Sequence, residues 1–176
     1  MCIRDRWHIS RDEMADPLVH AHEATHGWYG TGVRIACWEQ FVLSEGTTSY
    51  LSARALGAVA GKEVEDQIWA DYKQLLIDTL AEEDILAWPE TCGKVDILED
   101  GLFSDIVYMK GAFFYRAVAD EIGADKLDEV LAAFYRDHVG EAARMETMLE
   151  YIQDVGGFDP TALAKLWLRS KGNPFK

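Results

Sequence analysis

The feature that most constrains how this chain folds is a pentapeptide, HEATH at residues 22–26, inside DPLVHAHEATHGWYG. Asp16-Pro17 predicts a helix start just before it. Aspartate is a preferred N-cap, and proline at the first helical position loses no bond that the helix would have made. The same helix should end near Gly27 to Gly30. Residues four apart on a helix share a face one turn apart, so His22 and His26 point the same way. Imidazole nitrogens bind zinc at about 2.0–2.1 Å, and the pair therefore reads as two ligands of one zinc ion. Glu23 lies roughly 100° around the helix from His22, the placement of a general base that reaches a water without ligating the metal. The competing reading is a solvated helix with two surface histidines. With five histidines in 176 residues, an H-E-x-x-H should arise by chance in about one such chain in a hundred.

A catalytic zinc site needs a third protein ligand and leaves one position for water. Glu45 is the candidate: eighteen residues separate it from His26, and it opens the next predicted helix. A helix, a short connection and a returning helix would bring its carboxylate over the histidine face. Glu39, in the irregular stretch before that helix, and His20, about 200° around from His22, are the rivals.

The rest of the chain reads as mostly α, with little or no strand. TGVRIACW lacks a helical period and suggests a loop or a short extended piece. LSEGTTSYLSARALG is a helix that Ser44 can cap and that Gly57 or Gly61 ends. KEVEDQIWADYKQLLIDTLAEED carries an apolar stripe at 64, 68, 72, 75/76 and 80 on an acidic surface. Residues 85–103 lose the period around Pro89, Gly93 and Gly101 and read as a loop. Helices resume in SDIVYMKGAFFYRAVADEIG and in ADKLDEVLAAFYRDHVG, the latter with its stripe at 127, 130, 131 and 134. METMLEYIQDVGG follows, then TALAKLWLRS, opened by Asp159-Pro160. Trp28, Tyr50, Phe113 and Trp167 read as core.

The formal charge of −14 argues against nucleic acid or an anionic membrane as a partner, since both attract Lys/Arg patches. No apolar run has transmembrane length. Cys2, Cys37 and Cys92 form neither a CxxC pair nor an even framework, and free thiols at Cys37 and Cys92 are expected in preference to the alternative, a Cys37–Cys92 disulfide. The first six residues, MCIRDR, resemble translated adapter sequence and are expected to be a non-native leader on a domain of residues 7–176.

HEATHGWYG…WEQFVLSEGTTSYL is similar to the zinc-binding segment of the M1 family of metallo-aminopeptidases, commonly written HELxHxWFGN followed by WLNEGFAxY. His22, Glu23, His26, Trp28, Gly30, Glu45, Gly46 and Tyr50 match position by position. Thr31 and Ser44 depart from it, each standing where the family usually has asparagine. DIVYMKGAFFYRAV resembles the family's Y-x-K-G-A segment. That likeness makes Tyr108 the tyrosine whose hydroxyl stabilises the tetrahedral intermediate, with Lys110 a structural ion-pair partner as readily as a site residue.

The resemblance spans about residues 16 to 174 and implies the helical lobe of a thermolysin-like catalytic domain. One Zn²⁺ would be held by His22, His26 and Glu45, with Glu23 and Tyr108 catalytic and peptides as substrates. The family's amino-terminal β domain and its G-x-M-E-N strand, whose glutamate binds the substrate's α-amine, are not in these 176 residues. The chain is therefore expected to be part of a longer protein, inactive alone, with an apolar face where the missing lobe packs. Another gluzincin hydrolase or endopeptidase, or a binding module that kept the scaffold, are the alternative readings.

Overall fold

The computed structural model describes residues 9–83, 85–96, 99–100 and 103–175. Cys2 and the expected leader, residues 1–6, lie outside them. Seven helices appear among the described residues: α1 (Pro17–Thr25), α2 (Phe41–Ala60), α3 (Lys62–Glu82), α4 (Asp105–Ile122), α5 (Ala124–His138), α6 (Met145–Asp154) and α7 (Thr161–Trp167). Two short strands, β1 (Arg34–Ile35) and β2 (Ala142–Ala143), pair in parallel, Arg34 opposite Ala142 and Ile35 opposite Ala143. A 3-10 turn, Trp38–Gln40, leads straight into α2. No described helix is long and apolar enough to cross a membrane.

The helix ends follow from local chemistry. Asp16 adopts an extended backbone and accepts Leu18 N–H at 2.8 Å, with Pro17 behind it. Ser104 caps α4 by accepting Ile106 N–H. Gly61 and Gly123, with φ of +100° and +88°, separate α2 from α3 and α4 from α5. Asp159 accepts Thr161 N–H at 2.9 Å at the start of α7.

Packing is centred on α4, whose residues 106, 107 and 109–115 are all buried. Its most extensive contact is with α2, and α3, α5 and α7 cover its other sides. Enclosed in this way, α4 shows no one-sided apolar stripe. The α5 stripe is simpler: Leu127, Val130, Leu131 and Phe134 are all buried. On α3 the inward residues are Ile68, Trp69, Tyr72 and Leu76, while Val64 and Leu75 face outward.

Tyr50, Phe113 and Trp167 belong to the core, but Trp28 does not: it is 52% exposed. Helix α1 stops at Thr25, so Trp28 sits in the following turn. Tyr29 is the residue that turns inward there, donating its hydroxyl to the Leu131 carbonyl at 2.8 Å. Helix α2 begins a turn earlier than its polar residues suggested, which places Ser44 inside the helix rather than at its cap. Trp38 and Phe103 are about half exposed and flank Phe41 with ring centroids 6.1 and 5.5 Å from it, an open aromatic run.

The larger correction concerns the cysteines. Cys37 and Cys92 are joined in a disulfide, not free. The connection between α3 and α4 folds back over the entrance to α2, bringing two Cα atoms 55 residues apart in sequence to 5.7 Å. That return is a tertiary event with no signature in cysteine spacing.

Candidate metal centre

Helix α1 carries His22 and His26 on one face, and the first turns of α2 carry Glu45 back over them. His22 Nε2 and His26 Nε2 lie 3.1 Å apart, and each is 3.2 Å from Glu45 Oε2. Three lone-pair donors at the corners of a nearly equilateral triangle repel one another unless a proton or cation sits among them. Two ligand atoms about 2.0–2.1 Å from one tetrahedral zinc ion are about 3.3 Å apart. The donor set and its spacing thus fit zinc.

The electrostatics agree. Glu45 is 6% exposed. Burial pushes its pKa up, but hydrogen bonds and charge from His22 and His26 outweigh this and hold it at about 2. Burial likewise favours neutral His26, yet its contacts with Glu45, the Tyr29 carbonyl and the charge of Glu23 raise its pKa overall. In the absence of metal, then, the site holds a carboxylate and attracts a proton onto His26. His26 Nδ1 lies 2.9 Å from the Tyr29 carbonyl oxygen, which can only accept, so Nδ1 carries the hydrogen and Nε2 faces the triangle.

Two glycines bring α4 up to the site. A Cβ built on Gly111 would lie 2.5 Å from Gly46 Cα, and one on Gly46 would lie 2.6 Å from Gly111 Cα. No larger residue fits this crossing, which lies next to Glu45 on α2 and one turn from Tyr108 on α4. The Tyr108 ring stacks on the His22 ring at 5.9 Å, 25° from parallel. Burial raises the Tyr108 pKa well above the usual phenol value, and the charges of Glu45, Asp105 and Glu23 raise it further. Tyr108 is thus a neutral O–H donor. The charge of Glu23, next to His22 on α1, reaches both His26 and Tyr108.

The rivals for third ligand go elsewhere. His20 Nε2 lies 2.9 Å from the Met14 carbonyl oxygen. Glu39 is buried in the 3-10 turn and binds the α3–α4 connection, its Oε1 accepting Lys94 N–H at 2.7 Å and Val95 N–H at 3.0 Å. Lys110 is fully buried and donates to the Ser170 carbonyl at 2.7 Å, fastening α4 to the end of α7.

Sequence reasoning overlooked the part played by Ser44. Its hydroxyl donates to Glu45 Oε1 at 3.1 Å, leaving Oε2 for the histidines. Its placement beside the candidate ligand was a signal, but a helix start drawn too late hid it. A depression of about 490 Å³ lies away from this chemistry, walled by Trp28, Tyr29, Leu51, Leu131 and Tyr135.

The sequence profile described as the peptidase family M1 domain matches residues 6–167. Aminopeptidase M1-B of Oryza sativa subsp. japonica is 27% identical over 162 residues, an alignment covering 89% of this chain and 18% of the relative. Leucine aminopeptidase 2-1 of Scheffersomyces stipitis is 27% identical over 188 residues, covering 94% of this chain and 30% of the relative. Among solved structures, native leukotriene A4 hydrolase from Saccharomyces cerevisiae superposes with a TM-score of 0.79 at 20% identity, over 90% of this chain and 27% of that one. The M1 zinc metallopeptidase from Deinococcus radiodurans superposes with a TM-score of 0.72 at 20% identity, over 89% of this chain and 33% of that one. This chain therefore spans under a third of the length of these relatives and shares the fold of the matching part of the solved proteins.

Proposed function

The chain belongs to peptidase family M1, and from that membership we propose that it is the zinc-binding helical lobe of a metallo-aminopeptidase, with residues 7–176 forming part of its catalytic domain. The observation that carries the reading is the triangle of His22 Nε2, His26 Nε2 and Glu45 Oε2 beside a half-buried, protonated Tyr108. One Zn²⁺ would be held by His22, His26 and Glu45. When bound it supplies Lewis acidity and makes a coordinated water acidic near neutral pH.

The side chains supply the rest. The Tyr29 carbonyl holds His26 in the tautomer that presents Nε2, and Ser44 Oγ holds Glu45 so that Oε2 faces inward. Glu23 accepts the proton of the attacking water on its carboxylate and passes it to the nitrogen of the departing amine. Tyr108 donates its O–H to the substrate carbonyl oxygen as negative charge builds there. Its raised pKa keeps that hydrogen in place throughout the working range. Cleavage of the amino-terminal residue, rather than an internal bond, rests on the relatives' names and on an amine-binding glutamate expected outside these 176 residues.

Aminoacyl-anilide hydrolysis tests the reading. Joined to its upstream segment, the chain is expected to cleave these substrates. Glu23→Ala should slow turnover by about 10²–10⁴-fold, the usual worth of a general base, without loss of zinc. Residues 1–176 alone are expected to bind zinc without turning over. Cleavage by the isolated chain that disappears in Glu23→Ala would overturn the dependence on the missing segment. Full activity of the longer Glu23→Ala protein would overturn the mechanism.

A further inference from the structure

A second trio of donors lies at the entrance to α2. Cys37 Sγ, Cys92 Sγ and a carboxylate oxygen of Glu39 all lie within 4.8 Å of one another. Glu39 is 1% exposed. Its Oε1 is saturated by the Lys94 and Val95 N–H groups, while Oε2 is buried with no hydrogen-bond partner. An unpartnered buried carboxylate oxygen is a costly arrangement that needs an explanation. Beside it, Arg144 donates to Cys92 Sγ at 2.9 Å.

We propose that Cys37, Cys92 and Glu39 form a second, redox-gated zinc site, closed by the disulfide and opened when that bond is reduced. The proposal stands independently of the aminopeptidase reading. Two sulfurs and one oxygen are a borderline-soft donor set suited to zinc and poor for magnesium or calcium, which take oxygen shells. Two thiolates and a carboxylate around Zn²⁺ leave one net negative charge, which the Arg144 guanidinium offsets. The same cation favours the thiolate form of Cys92. Neither cysteine is buried, so reductant and ion have access. Zinc about 2.3 Å from each sulfur needs the sulfurs roughly 3.8 Å apart, and Cα atoms 5.7 Å apart allow this by side-chain rotation.

The chemistry balances with a small-molecule thiol as reductant. Two thiols deliver two electrons and two protons to the Cys37–Cys92 bond and leave as their own disulfide. Zinc then displaces both cysteine protons into solvent and binds Glu39 Oε2, with water completing the shell. Either staple holds residues 92–95 against the entrance to α2, the helix that carries Glu45. The fold of that entrance would thereby be preserved in oxidising and in reducing surroundings.

The test is metal titration of the 176-residue chain with and without a phosphine reductant, which does not itself supply thiolate. The oxidised chain should bind one zinc and the reduced chain two. With Co²⁺ as probe, a thiolate-to-cobalt charge-transfer band should appear only after reduction. It should persist in His22→Ala, which separates this site from the histidine site, and vanish in Cys92→Ser and, as an independent variant, in Cys37→Ser. Glu39→Gln should keep the band but weaken the second site tenfold or more. A reduced wild-type chain that binds one zinc and shows no band would overturn the proposal, as would second-site affinity unchanged in Glu39→Gln.

Discussion

The two trios of donors near the start of α2 are built in opposite ways. In His22, His26 and Glu45, one helix supplies two candidate ligands at a fixed spacing, and the following helix returns the third across a short connection. In Cys37, Cys92 and Glu39, two members lie two residues apart, but the third arrives from a strap 55 residues away. The first trio is an open triangle with atoms 3.1–3.2 Å apart and a pair of charges to satisfy. The second is closed by a covalent bond, with one carboxylate oxygen left over. A site drawn from helix periodicity announces itself in sequence, whereas one drawn from a loop's return path does not.

Perturbing each trio separately sharpens that contrast, and the largest effect should come from the ligands themselves. Glu45→Ala should weaken zinc binding by more than about a hundredfold, beyond the 10–100-fold typical of outer-shell losses, and leave the disulfide intact. Competition against a chromophoric chelator measures this. Replacing both Cys37 and Cys92 with serine should do the reverse, costing about 2–4 kcal/mol of stability in urea melts while the histidine site keeps its affinity.

Gly111→Ala probes what joins the sites to the core. Its methyl must displace the α2 backbone at Gly46, so a loss of about 1–3 kcal/mol is expected. In an extended protein with the proposed activity it should also lower kcat, because Tyr108 rides on the displaced helix. Ser44→Ala should cost roughly tenfold in zinc affinity, as the loss of a group that orients a ligand. Ser44→Asn should restore part of it if an amide can hold Glu45 Oε1.

The smallest signal is the pH dependence of the metal-free chain. Glu45, held at about 2 against an ordinary 4.5, stabilises the fold fully above 4.5, and this is lost as pH falls toward 2. The lowered Glu39 carboxyl adds to the same acid limb. His26, raised above 6.5, contributes fully below 6.5 and progressively less as pH rises through its folded value. Thermal melts from pH 2 to 9 should show both limbs. Zinc should abolish the alkaline one, because the ligands then coordinate in their deprotonated forms.

Much of this was legible because it is local. Asp16-Pro17, Asp159-Pro160 and Gly61 mark helix ends through backbone chemistry that needs no tertiary partner. The α5 stripe works because that helix buries one side, while α4, enclosed by four helices, offers no such stripe. Trp28 was misplaced because a residue just beyond a helix end inherits no face from it, and Tyr29 took the inward position. Ser44 was assigned to a cap because its hydroxyl suits one. Inside α2 the same hydroxyl has Glu45 as its acceptor. The membership in family M1 was legible from the likeness of HEATHGWYG, WEQFVLSEGTTSYL and YMKGA to the family's motifs.

The direct test is an anomalous difference map at the zinc edge from crystals of the oxidised 176-residue chain grown with zinc. One peak is expected, about 2.0–2.2 Å from His22 Nε2, His26 Nε2 and Glu45 Oε2, with none at Cys37. A map with no peak within reach of these three atoms, or with its principal peak at another cluster, would contradict the account.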